Sequence, residues 1–188
     1  MTTARTVYVP EGTFGVLDAG EIPVQTADWS NGLTAPMSHG ALIATGIHTG
    51  PVRVTAEALN SPPDTSADEA WEEVVEVSVH APAGRLQVES LEDGPIPGHP
   101  LLSPSGPSWY RLRVHARGRS NLPDKVATSP VEDYLLLAWP SSPADVAVLR
   151  SSERIEDALA HSDKAPTPSH APTETPTQEA LRRRLLER

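Results

Sequence analysis

Between residues 6 and 149 apolar residues recur with a period of two, and Pro, Gly, Asn or Asp interrupts them at short intervals. That alternation predicts half-buried strands joined by turns. The clearest case is 71–80, where Val75, Val77 and Val79 share one face and Glu72, Val74, Glu76, Ser78 and His80 the other. Short strands are predicted at 6–9 and 13–17, around the turn Pro10-Glu11-Gly12. Residues 41–48 are apolar and partly β-branched. After Gly50-Pro51, residues 52–58 set Val52, Val54 and Ala56 against Arg53, Thr55 and Glu57. Residues 85–91 alternate through Leu86 and Val88, close enough behind 71–80 to form a hairpin with it.

In 109–117, Tyr110, Leu112, Val114 and Ala116 fall on one face, with Trp109, Arg111, Arg113, His115 and Arg117 on the other. Residues 134–139 form a short, nearly continuous apolar run that stops at Pro140, which predicts a strand buried on both faces. A last strand is predicted at 145–149. Residues 18–39, 59–69, 92–107 and 118–131 read as loops, with Trp29 packed at the core edge. Residues 152–160 have helical spacing, with Ser152 as N-cap and Ile155 and Leu159 four apart.

Many short strands, long loops and one short helix predict an all-β domain over residues 1–160, an antiparallel β-sandwich or an open barrel. Residues 161–176 are rich in Pro, Thr and Ser and predict a flexible linker. Thr175-Pro176-Thr177-Gln178 has the form of a helix start, so residues 177–188 predict a short basic amphipathic helix with Leu181, Leu185 and Leu186 on one side.

Charge sharpens the picture. Residues 1–110 carry 14 Asp and Glu against only Arg5, Arg53 and Arg85, whereas residues 111–188 are nearly balanced. An acidic domain argues against direct nucleic-acid binding, which needs basic surface, and favours a basic protein partner. The chain has no Cys, which excludes disulfides, thiolate metal sites and a Cys nucleophile. No apolar run approaches the ~20 residues of a membrane span, and the first residues lack the pattern of a signal peptide. The expectation is therefore a cytoplasmic protein without a membrane segment.

No recognisable catalytic motif is present. The seven His form no helical metal-binding motif, although His80 and His115 could meet if their strands pair. No Ser sits in a Gly-x-Ser-x-Gly elbow, and no Gly-rich phosphate loop precedes a helix. No catalytic residue, metal ligand or cofactor is predicted. Abundant carboxylates leave a carboxylate-dependent hydrolase as a third reading, for which eight aromatic residues provide few sugar platforms. The predicted partner-binding residues are Glu72, Glu73, Glu76, Glu92 and Asp93, with Trp29 and Trp71 as aromatic anchors. Arg111, Arg113 and Arg117 form either an anion-binding stripe or cross-strand pairs with Glu72, Glu76 and Glu89.

The order of these segments carries a resemblance. Asp28-Trp29 follows two short strands. Gly40-Ala41-Leu42-Ile43, Val52-Arg53-Val54, residues 72–79, Gly84-Arg85-Leu86-Gln87-Val88-Glu89-Ser90 and Gly106 leading to Trp109-Tyr110-Arg111-Leu112 come next. Over roughly residues 6–117 this order resembles the competence protein J family, small β-rich inhibitors of a DNA-entry nuclease. The resemblance implies a β-sandwich-type domain that binds and restrains a nuclease without a cofactor. The Arg-bearing strand, residues 134–139, the linker and the terminal helix lie beyond it. The expected function is a stoichiometric inhibitor or regulator of another protein, with a basic nuclease as favoured target. The alternative is an adaptor that docks through its C-terminal helix.

Overall fold

The structure, a computed structural model, describes residues 3–63 and 69–162. Among the described residues eleven strands form two facing sheets. The first contains β1 (Arg5–Val9), β5 (Gly50–Ala58), β6 (Glu73–Ala81), β9 (Ser108–Arg117), β10 (Asp133–Pro140) and β11 (Ala147–Arg150), in the order β1-β5-β10-β9-β6-β11. The second contains β2 (Thr13–Asp18), β3 (Thr34–Pro36), β4 (Ala41–Ala44), β7 (Leu86–Ser90) and β8 (Gly94–Pro95), in the order β3-β4-β2-β7-β8. Neither sheet closes into a barrel, and the fold is a sandwich-like all-β arrangement with one α-helix among the described residues, α1 (Glu153–Ser162). No helix among the described residues is long and apolar enough to cross a membrane.

Period-two alternation builds the core as expected. Val52, Val54 and Ala56 of β5, Val75, Val77 and Val79 of β6, and Tyr110, Leu112 and Val114 of β9 face Phe14, Val16, Ile43, Leu86 and Val88 of the second sheet. Phe14 and Tyr134 meet edge-on across the layers, with ring centroids 5.2 Å apart. Each fully buried aliphatic side chain contributes roughly 1.5–3 kcal/mol of transfer free energy, so many small residues replace the few aromatics. Ile155 of α1 closes one end of this core.

Three expectations change. First, β6 and β7 do not form a hairpin: β6 pairs with β9 and β11, and β7 pairs with β2 and β8. The connection crosses between the sheets because Asp18, at the end of β2, accepts hydrogen bonds from the amides of Ala83 and Arg85 at 2.6 and 2.7 Å. Gly84 makes this passage with φ 64°, and a Cβ there would stand 2.6 Å from the Gly106 carbonyl carbon.

Second, β10 is not buried equally on both faces. Tyr134, Leu136 and Ala138 are sealed in the core, while Leu135 and Leu137 are half-buried on the outer face. Its neighbours are β9, antiparallel, and β5, parallel, so the first sheet is mixed. Third, residues 18–39 contain β3 and a short 3₁₀ turn at Val24–Thr26. Residues 161 and 162, expected to open the linker at 161–176, belong to α1, which runs to Ser162. The rest of the linker and the predicted helix 177–188 lie outside the described residues.

Candidate protein-docking face

The outer face of the first sheet is where sequence parity put most of the predicted site, and its charges are engaged with one another. Glu76 on β6 accepts from Nε of both Arg111 and Arg113 on the neighbouring β9. Arg111 also donates to the Ala144 and Asp145 carbonyls at 3.0 and 2.7 Å, fastening the segment after β10 across this face. Arg117 donates to Asp133 at 3.0 Å, and Arg53 pairs with the same carboxylate from β5. Hydrogen bonding from Arg53, reinforced by Arg117, holds the Asp133 carboxyl below its usual range. Arg117 covers Trp71 at 5.1 Å and Arg113 covers Trp139 at 5.6 Å.

Of the carboxylates expected opposite these arginines, Glu76 pairs with Arg111 and Arg113, and two expected partners differ. Glu89 lies in the other sheet, and Asp133 takes the place of Glu72. Glu72 accepts instead from the Gly118 amide at 2.9 Å. Trp71 packs against His115 with centroids 5.6 Å apart and is only half-exposed. His80 stacks on Trp109, not on His115, because the register pairs His80 with Trp109 and His115 with Val74.

Glu73 requires a firmer correction. It points inward with Val75 and Val77, is 2% exposed, and accepts from Nη1 of Arg119 at 2.6 Å and from the Ser152 hydroxyl. Arg119 donates its other terminal nitrogen to the Gly32 carbonyl at 3.0 Å. Glu73 cannot face a partner because it joins β6, the loop after β9 and the start of α1 inside the fold. A second buried carboxylate, Glu132, is fully enclosed. It accepts from the Gly46 and Ile47 amides at 3.0 and 2.6 Å and from the Tyr134 hydroxyl at 2.6 Å. Burial, with Glu132 adjacent, pushes the Tyr134 phenol well above its usual range.

The second sheet presents a different outer face. Leu17, Ala35, Met37 and Leu42 form a small apolar cluster there, flanked by Ala27 and Leu91. The loop after β2 lies across it, tied down by the Asp28 amide to the Pro36 carbonyl at 3.1 Å and the Ser38 amide to the Thr26 hydroxyl at 2.8 Å. This loop exposes Ile22, Val24 and Trp29 at 41%, 58% and 38%. Trp29 also borders an open groove of about 490 Å³ against Ala158, His161 and Ser162. Glu92 and Asp93 are exposed in the turn directly after Leu91, and neither they nor Asp28 pair with a cation among the described residues. Of the predicted residues, Trp29, Glu92 and Asp93 therefore flank one apolar cluster, away from Trp71, Glu72 and Glu76.

Glu89 was missed as a candidate in its own right. It lies on the outer side of β7 opposite Gly15 and is 4% exposed, yet its Oε1 has no hydrogen-bond partner. Burial pushes its carboxyl up. The folded chain thus holds this proton more tightly than the unfolded chain. Stability from this group is complete below the ordinary glutamate range and declines as pH rises through and above it. Glu89→Gln should therefore raise the melting temperature at about pH 8, with the gain shrinking toward about pH 4. Thermal unfolding at both values checks this.

A separate cavity of about 520 Å³ lies beside β1 and β5, lined by Arg5, Glu57 and His99 among others. Burial first, and then Arg5, hold the His99 imidazole below its usual range. No group of three or more His, Asp or Glu among the described residues is placed to hold a metal ion.

No family model and no curated protein matches the chain. Among solved structures it is similar to one described as Crocagin biosynthetic gene J, with a TM-score of 0.47 and 16% identity, covering 76% of this chain and 98% of that one.

Proposed function

We propose that the chain is a non-catalytic protein-binding domain, a stoichiometric inhibitor or regulator of a basic partner. The observation that carries this reading is the contrast between the two outer faces. On the first sheet, Arg and carboxylate side chains satisfy one another. On the second, the loop that exposes Ile22, Val24 and Trp29 also carries Asp28, and Asp28, Glu92 and Asp93 have no cation among the described residues, while Glu21 is held by His39 at 3.4 Å. Apolar anchors rimmed by one sign of charge suit a partner of opposite charge. The charge steers encounter and the aromatic anchor sets the lifetime of the complex.

A nuclease is the favoured target. The resemblance over residues 6–117 points to one, and basic side chains that hold phosphates would meet Asp28, Glu92 and Asp93. Inhibition would follow by occlusion of that phosphate-binding surface. The reading includes a cytoplasmic setting, which suits a chain without Cys.

Affinity capture with the full chain, at low and moderate salt, tests the proposal when paired with variants. A basic protein recovered near one-to-one should be lost with Trp29→Ala or Glu92→Lys/Asp93→Lys and retained with Arg117→Ala. If Trp29 is an anchor, its truncation should weaken binding by roughly 30-fold, since such residues contribute about 2 kcal/mol. Equal capture by all the folded variants would remove this face from the proposal. Added in equimolar amount, the chain should also suppress cleavage by a captured nuclease.

A further inference from the structure

We infer that the cavity at Glu89 is the seat for one cationic side chain, Lys or Arg, of that partner. The inference rests on the docking reading above and assigns it a specific anchor. The cavity measures about 280 Å³ and is lined by Ala19, Gly20, Arg85, Gln87, Glu89 and Pro95. It opens on the same outer face as Leu17 and Leu42, beside the turn that carries Glu92 and Asp93.

Three features make it a built site. Gly15, directly across from Glu89 on β2, carries no side chain, and its space is taken by Leu17, whose Cγ would stand 2.6 Å from a Cβ there. The strand pair thus supplies no polar neighbour from that position. Gly20 takes φ 76°, and a Cβ there would lie 3.6 Å from Glu89 Oε2, so glycine keeps the approach to the carboxylate uncovered. Glu89 itself is almost wholly enclosed, with Oε1 lacking any donor.

A carboxylate oxygen withdrawn from water without a donor, as Glu89 Oε1 is, is costly, and the fold contains a remedy it does not use. Arg85 lines the same cavity yet makes no ion pair with Glu89. Four residues of extended chain separate their Cα atoms by roughly 13 Å, which places the guanidinium at the far end. The missing donors must therefore come from outside. Lys supplies three N–H donors and Arg a planar fork matched to a carboxylate. An uncharged donor would leave the charge uncompensated, and an anion would be repelled by Glu89.

The test uses two probes and two readouts. The full chain is titrated with methylguanidinium and, separately, with tetramethylammonium, which has the charge but no N–H. Amide resonances of Gly20, Gln87 and Glu89 should shift saturably with methylguanidinium and not with tetramethylammonium. Glu89→Gln, nearly identical in shape, should abolish the shift without lowering the melting temperature. An absent shift, or one that survives in Glu89→Gln, overturns the inference and leaves the cavity to water alone.

In the second readout, Glu89→Gln should weaken the captured complex by at least tenfold. Unchanged affinity there would overturn the assignment to the partner. The two failures are separable. A cavity that takes methylguanidinium, in a chain whose complex ignores Trp29→Ala and Glu92→Lys/Asp93→Lys, keeps the cation site and loses the docking face.

Discussion

Arg119→Ala should lower the unfolding free energy by about 3–5 kcal/mol, the cost of removing one partner from a buried ion pair. The guanidinium and the Glu73 carboxylate are both almost wholly enclosed, with side chains 5% and 3% exposed. Truncation would leave the Glu73 side chain in the interior without its cation and with the Ser152 hydroxyl as its remaining donor among the described residues, and would strip the Gly32 carbonyl of its own. In a domain of this size the loss corresponds to a melting temperature lower by roughly 6–20 °C.

The double variant Glu73→Leu/Arg119→Leu should recover much of the loss, because it removes the stranded charge together with the pair. Denaturant unfolding of the two singles and the double forms the cycle. A loss under about 1 kcal/mol in Arg119→Ala would mean the pair behaves as an exposed one. The same geometry predicts that Glu73→Lys unfolds the chain instead of merely altering its surface.

Glu132→Ala should cost about 2–6 kcal/mol, since the Gly46 and Ile47 amides lose their acceptor at once and each unsatisfied buried group costs about 1–3 kcal/mol, while the Tyr134 hydroxyl keeps the Ala44 carbonyl at 3.3 Å. Marginal stability makes that a large share of the total. The effect should be local in origin. The amides of Gly46 and Ile47 should lose hydrogen-exchange protection before those of β9, because they depend on this carboxylate across the sandwich. Glu132→Gln retains one acceptor oxygen and should lose less. Uniform exchange across both segments would show that Glu132 does not hold the loop between β4 and β5.

The strands and the inward residues were legible because period-two alternation records which side of a strand meets the core. Val75, Val77, Tyr110 and Leu112 illustrate this. Alternation carries no record of which strand lies alongside. The switch of β7 into the other sheet depends on Asp18 and Gly84, neither of which marks a pairing partner in the sequence.

The candidate site was only partly legible, for a related reason. Glu73 shares parity with Val75, and Glu132 with Tyr134, so burial of both could have been read from position had charge not been taken as a sign of exposure. Glu89 shares parity with Gln87 and reads as solvent-facing. Its surroundings, with Ala19, Gly20 and Pro95 lining the same cavity, come from segments next to β2 and β8 that no strand pattern describes. Trp29 was expected as a plug and is exposed instead, because the second sheet's apolar cluster is closed by Ala27 and Leu91 without it.

The mixed first sheet also sets an order of assembly. β10 lies between β5 and β9, and its residues pair in parallel with Arg53–Ala58, which precede them by 80 positions in the chain. On a ribosome, β5 and β9 leave the tunnel well before the strand that joins them. Until β10 arrives, the β1–β5 pair and the β6–β9 pair each present an open row of backbone donors and acceptors. Insertion of β10 then joins the two halves of the first sheet, a long-range step that contact-order arguments make slow. A chain stopped after residue 117 would retain β1, β5, β6 and β9 of the first sheet without β10. It would also keep both open rows and pair with its own copies.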